Sequence, residues 1–308
     1  MGQERFDLGR VGIWTGTLDA VPSAEAQRIA QRLEAAGFPT LWIPETVGRD
    51  PFITATRLLE ATSRLRIATG IANIYARDPV TMANTQRSLE EAFPGRFLLG
   101  LGVSHHHLVD RVRHHDYSRP YSHMVEYLQQ MDEAIFRAVG PQERPATVLA
   151  ALGPKMLRLA AERADGAHPY FVPVEHTAKA REILGPGAIL APEQMVVLDT
   201  DRDRAREMAR KGMAVYLRAP NYVNNLRRLG FDDDDFAGGG SERLVDAIVA
   251  CGSVDDAVAR VDAHFTAGAS HVCVQVLQDD LTAVPESGWR ELASAFASTG
   301  SVRTAPGG

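Results

Sequence analysis

Short apolar runs alternating with longer stretches of helical periodicity constrain this chain more than any other feature. The runs are RVGIWTG (10–16), TLWIPE (40–45), RIATGIA (66–72), FLLGLGV (97–103), TVLAA (147–151), GAHPYFV (166–172), EQMVVLD (193–199) and HVCVQVL (271–277). Between them lie patterns with apolar residues every three to four positions, at 23–37, 52–63, 81–93, 120–139, 155–164, 174–184 and 201–219. Near-continuous apolar strands separated by helices predict a parallel sheet covered on both faces, and eight of them predict an α/β fold of the closed (β/α)8 TIM-barrel kind. An open doubly wound sheet fits less well, because RVGIWTGTLD lacks the GxGxxG turn after the first strand. With 308 residues and 45% apolar content the chain can bury a sizeable core, and we read 1–308 as a single barrel domain.

The spacing breaks twice. Sixteen residues, SHHHLVDRVRHHDYSR, follow the fourth run and predict a loop over the barrel mouth. About seventy separate the seventh and eighth runs, with helical patterns at 241–250 and 253–267 and an acidic, glycine-rich tract, LGFDDDDFAGGGS (229–241). We read an insertion at about 220–250 and a flexible tail at 298–308. The aspartates suit either a metal or, more simply, a solvated turn. The net charge of −6 argues against nucleic acid as a partner. No run reaches the length of a membrane span and MGQERFDLGR lacks a signal-peptide core, so a cytoplasmic protein is expected. Cys251 and Cys273 make no metal or redox spacing.

Barrel chemistry sits at the C-terminal ends of the strands. Those ends here read Pro44-Glu45-Thr46, Gly70-Ile71-Ala72-Asn73, Gly102-Val103-Ser104-His105 and Leu152-Gly153-Pro154-Lys155. Gly153 and Pro154 open a helix whose free N–H groups, with Lys155, can seat a phosphate or carboxylate; plain helix capping is the other reading. A metal-dependent hydrolase would instead draw on His105, His106, His107, His114 and His115, although metal barrels take ligands from several strands.

In this order LWIPE, RIATGIANIYARDP, RFLLGLGVS, ALGPKMLRLAAERADG and the terminal CGSVDDAVARVDAHFTAGASHVCVQVL resemble the luciferase-like superfamily of flavin and deazaflavin barrels, particularly its coenzyme F420 branch. The resemblance implies an oxidoreductase passing a hydride between F420 and a small-molecule substrate, with an FMN-dependent two-component monooxygenase as the alternative. It implies a cis Gly70–Ile71 peptide behind the central ring. Gly102, Val103, Ser104 and His105 would line the cofactor, with Leu152 also binding it; Gly153, Pro154, Lys155 and Met156 would hold its phosphate, and Glu45, Asn73, His168 and Tyr170 would face the ring or close the pocket. His105, then Glu45, is the expected proton carrier. Family members acting on sugar phosphates place an Asp-His pair after the second strand and a Glu after the fourth; Glu45-Thr46 and His105 stand here, which points to another substrate. A homodimer is implied, with Leu58-Leu59 and Ile135-Phe136 as candidate contacts.

Overall fold

A computed structural model describes residues 6–298 and 300; the rest of the expected tail, 299 and 301–308, lies outside the described residues. The first half alternates strand and helix: β1 (Val11–Trp14), α1 (Ser23–Ala35), β2 (Thr40–Ile43), α2 (Pro51–Ala61), β3 (Arg66–Thr69), β4 (Ala72–Asn73), α3 (Pro79–Ala92), β5 (Phe97–Gly102) and α4 (Pro120–Asp132). Then follow β6 (Thr147–Leu149), α5 (Pro154–Arg163), β7 (Gly166–Ala167), α6 (Val174–Leu184), β8 (Ile189–Leu190) and β9 (Glu193–Leu198). The last part holds α7 (Arg202–Met213), α8 (Pro220–Arg228), α9 (Asp233–Phe236), α10 (Glu242–Ile248), β10 (Val249–Gly252), α11 (Val254–Thr266), β11 (Val272–Val276) and α12 (Glu286–Ser298).

Every strand pairing is parallel, in the order β10-β9-β11-β1-β2-β3-β5-β6-β7-β8, with β4 beside β5. The sheet curls into a TIM-barrel-like fold, and the segment 189–198 links its two ends. Ile189–Leu190 pairs with β7, and the Leu190 carbonyl accepts from the N–H groups of Ser270 and His271, while Glu193 pairs with Cys273 of β11.

Side chains alternate across each strand, as a pleated backbone requires. Leu41, Ile67, Phe97 and Leu99 pack outward on the helices; Trp42, Ala68, Leu98, Val148 and Cys273 pack together in a separate inner cluster. The helices start where capping chemistry directs them. Asp50 accepts from the N–H groups of Phe52 and Ile53 with Pro51 as first helical residue, and Asp78 with Pro79 repeats the device at α3.

The structure corrects several sequence boundaries. The pattern at 120–139 is helical only to Asp132, because the Arg87 guanidinium donates to the carbonyls of Met131 and Ala134 that another helical turn would need. The pattern at 201–219 breaks after Met213, since Pro220 holds Ala219 extended before α8 begins. The pattern at 241–250 ends in a strand, where Val249–Gly252 joins β9. Leu58 and Leu59 lie in the core and offer no surface to a second subunit; Ile135 is 69% exposed.

The aspartate tract is structural. Asp232 caps α9 in a capping box with Asp235, which accepts from Ser241 and pairs with Arg243. Between β9 and β11, helices α7, α8 and α10 build a second apolar cluster around Met208, Leu226, Leu244 and Ile248. No helix among the described residues is long and apolar enough to cross a membrane.

Candidate active site at the barrel mouth

A cavity of about 260 Å³ opens at the C-terminal ends of the strands. Its back wall is the bulge after β3, where the Gly70–Ile71 peptide is cis, as the resemblance implied. Gly102 makes room for this wall: a β-carbon there would overlap the Ile71 side chain. Gly102 itself does not line the cavity, whereas the next three residues, Val103, Ser104 and His105, do. Ser104 has φ of 58°, and its carbonyl accepts from the Tyr117 hydroxyl, which fixes the turn that brings His105 to the mouth.

His105 faces Asn221 of α8, 3.3 Å from Nδ1 to Oδ1, so an amide oxygen there makes Nδ1 the donor and leaves Nε2 as a free lone pair. Burial lowers its pKa from the ordinary histidine value, with the Asn221 bond opposing, which favours the neutral ring. His106 and His107 are exposed, and a π-helical turn at His107–Val112 carries the loop away. Among the described residues no three or more of His, Cys, Asp and Glu are grouped to hold a metal ion.

Glu45 reaches the cavity wall with both carboxylate oxygens engaged. Arg77 donates to Oε2 at 2.9 Å and to Oε1 at 2.8 Å, and the Asn73 N–H donates to Oε2 at 2.7 Å. Asn73 is buried and turns its Oδ1 to the Tyr75 N–H, capping a turn outside the cavity lining.

His168 and Tyr170 follow β7 and form the floor. His168 stacks on Trp42 at 4.3 Å and donates from Nδ1 to the Ala191 carbonyl at 2.7 Å; burial brings its pKa down to about 4. The Tyr170 hydroxyl donates to Gln275 Oε1 at 2.7 Å and so accepts from Tyr216 at 2.6 Å. Burial raises its pKa well above the ordinary tyrosine value.

Leu152 and Met156 line the cavity at the start of α5; Gly153, Pro154 and Lys155 lie just outside its lining. Gly153 is open: a β-carbon added there would meet only the Arg228 guanidinium, 3.4 Å away. The N–H groups of Lys155 and Met156 precede the first intrahelical bond, which Leu157 makes to the Gly153 carbonyl. Sequence reasoning missed Trp14, Leu108, Tyr117, Tyr216, Asn221 and Tyr222, all of which line the cavity. Asn221 and Tyr222 come from the inserted segment and Tyr216 from the end of the 201–219 pattern before it. A cluster of tyrosines and asparagines, YLRAPNYVNN, was the one local signal.

The model of the luciferase-like monooxygenase family matches residues 6–271. The chain belongs to this family. A luciferase-like relative in Mycobacterium tuberculosis, named for coenzyme F420-dependent oxidoreductase activity, is 27% identical over 251 residues, 68% of this chain and 72% of its own length. Among solved structures, an F420-dependent secondary alcohol dehydrogenase in complex with an F420–acetone adduct has the same fold at a TM-score of 0.74 and 16% identity, covering 96% of this chain and 99% of that one. The FMN-bound oxygenating constituent of 3,6-diketocamphane monooxygenase from Pseudomonas putida superposes at a TM-score of 0.69 and 15% identity, covering 92% and 96%. This chain shares their fold and is an enzyme of the luciferase-like family, with a cavity at its own barrel mouth.

Proposed function

We propose that this enzyme transfers a hydride between coenzyme F420 and a small organic substrate held in the mouth cavity. The observation that carries the reading is the coincidence, at one mouth, of a flat back wall at Gly70–Ile71, a neutral imidazole at His105 and the open N-terminus of α5. The residues present fit a flat cofactor with a phosphate tail. Val103, Leu108, Ala150 and Leu152 supply apolar walls, and two buried polar nitrogens on the floor lack protein partners. When bound, F420 supplies a carbon centre that exchanges two electrons with a proton as hydride.

The chain's own work is then positioning and proton management. The N–H groups of Lys155 and Met156, with the Lys155 ammonium and the Arg228 guanidinium nearby, would hold the phosphate. His105 holds or accepts the substrate proton at Nε2, the role that geometry leaves open to it and closes to Glu45. Glu45 organises the wall by tying Arg77 to the Asn73 backbone. A cytoplasmic homodimer completes the proposal; light scattering should give twice the 33.5 kDa of one chain.

The test is a fluorescence titration of the purified protein with F420 and, separately, with FMN. Saturable binding of F420 and weaker binding of FMN are expected, followed by oxidation of reduced F420 with a panel of ketones and enones. Tight FMN binding without F420 binding would replace this reading with the flavin monooxygenase one.

A further inference from the structure

Two polar atoms at the cavity floor have no use inside the protein. Trp14 Nε1 and His168 Nε2 are both buried and both lack a hydrogen-bond partner among the described residues, although both side chains line the cavity. Buried polar groups are nearly always paired, so two orphans side by side need an explanation. They face the same place: a β-carbon added at Gly70 would lie 2.6 Å from Trp14 Nε1 and 3.3 Å from His168 Nε2.

Their chemistry is complementary. The indole nitrogen can only donate. His168 uses its Nδ1 proton on the Ala191 carbonyl, so its Nε2 is a bare lone pair that can only accept. Stacking on Trp42 holds the imidazole plane, and the Tyr170 ring lies 5.0 Å from the indole, so neither nitrogen can easily turn to another partner. A carbonyl in front of the pair would satisfy Trp14 and set its own lone pairs against His168. A methyl group would satisfy neither. A hydroxyl satisfies both, accepting from Trp14 and donating to His168.

The geometry points to Trp14 and His168 as a paired donor and acceptor, beside Gly70, that selects a hydroxyl group on the molecule bound in the cavity. The inference rests on the proposed F420 reading of the same cavity. The assignment commits this hydroxyl to one of two sources, the phenolic hydroxyl by which F420 differs from the methylated ring of FMN or an alcohol group of the substrate, and not to the side-chain hydroxyls that F420 and FMN share.

The test uses wild-type protein labelled with ¹⁵N in its tryptophans, the Trp14 indole N–H being assigned through triple-resonance spectra and checked by its loss in Trp14→Phe. F420, FMN and 2-propanol are the probes. If the hydroxyl is the cofactor's, F420 alone moves the Trp14 N–H resonance downfield and FMN does not, and Trp14→Phe weakens F420 binding about tenfold, the loss of one hydrogen bond. If it is the substrate's, F420 binds without moving the resonance and 2-propanol added to that complex moves it. Trp14 packs in the inner apolar cluster, so Trp14→Phe should lower the melting temperature through lost packing, and the titrations are run well below that temperature, where the variant is folded. An equal shift with FMN would put at the floor a group that both cofactors carry and overturn the assignment, as would F420 binding with no shift from any probe. Failure of the wild type to bind F420 at all would instead strike the functional proposal itself.

Discussion

His105 and Glu45 reach the cavity from opposite loops, and their surroundings separate their roles. Glu45 is 4% exposed and holds Arg77 in a two-pronged pair, while Arg77 also bonds Asp50 at 2.9 Å, so Glu45→Gln removes one of the guanidinium's two carboxylate partners. We expect that change to cost about 1–3 kcal/mol of stability and to lower turnover chiefly through loss of folded protein, which thermal melts alongside active-site titration would separate. His105→Asn should leave F420 affinity within a few-fold and reduce turnover by roughly 10²–10⁴, as loss of an acid–base group does. The pH dependence follows from the lowered His105 pKa. In the direction that needs a proton acceptor the neutral ring is the active form. Wild-type rate should therefore fall as pH drops through the lowered value, and His105→Asn should lose that limb. An unchanged acid limb in the variant would assign the proton to solvent or substrate.

At the scale of elements, β5 and α5 carry the cavity through what they leave out. Gly100 faces the Thr69 carbonyl and Gly102 faces the end of the Ile71 side chain. Gly100→Ala must move backbone and should cost about 2–3 kcal/mol, whereas Gly102→Ala can push Ile71 toward the cavity, with a smaller stability loss and a larger loss of F420 affinity. Melting curves and titrations on the two variants should rank them in opposite orders. Gly153→Val is the companion test at α5: φ of −89° and ψ of 158° suit valine, so the fold should hold while F420 affinity falls. The barrel itself was legible because each β-strand core is apolar and bounded by turn chemistry. β10 was not, because its four residues continue the apolar pattern of α10, and only pairing with β9 makes them a strand. Local sequence also exposed the residues that follow each strand. It could not bring Tyr216, Asn221 and Tyr222 to the same mouth, since that depends on how α8 packs across the barrel. Nor could it tell that Asn73 serves its own turn.

For the molecule as a whole, the interior of the barrel makes stability depend on pH from both sides. His168, His271 and His264 are buried with pKa values brought down to about 4, about 4 and about 3, in each case first by burial. In the unfolded chain each regains a value near 6.5, so between pH 6.5 and 4 the unfolded state binds protons the folded state refuses, and stability falls with acid. Glu193 acts the other way. It is fully buried, accepts only from the Phe171 N–H at 3.3 Å, and has its pKa pushed up to about 8 by burial. From its unfolded value to about 8 the folded state holds one proton more than the unfolded, so stability falls again as pH rises through that window. His105, His123 and His176 are also held below the ordinary value and Glu90 joins Glu193 above it, so histidines outnumber carboxyls and make the acid slope the steeper, each proton contributing about 1.4 kcal/mol per pH unit. The denaturation midpoint should therefore peak near pH 7, drop toward pH 5, and decline more gently to pH 8 before levelling. Glu193→Gln should flatten the alkaline side and steepen the acid side, because the carboxyl's opposing slope runs from its unfolded value to about 8 and an amide does not titrate. If urea titrations across pH 5–9 gave the variant the same alkaline decline as the wild type, the cause would lie in another group.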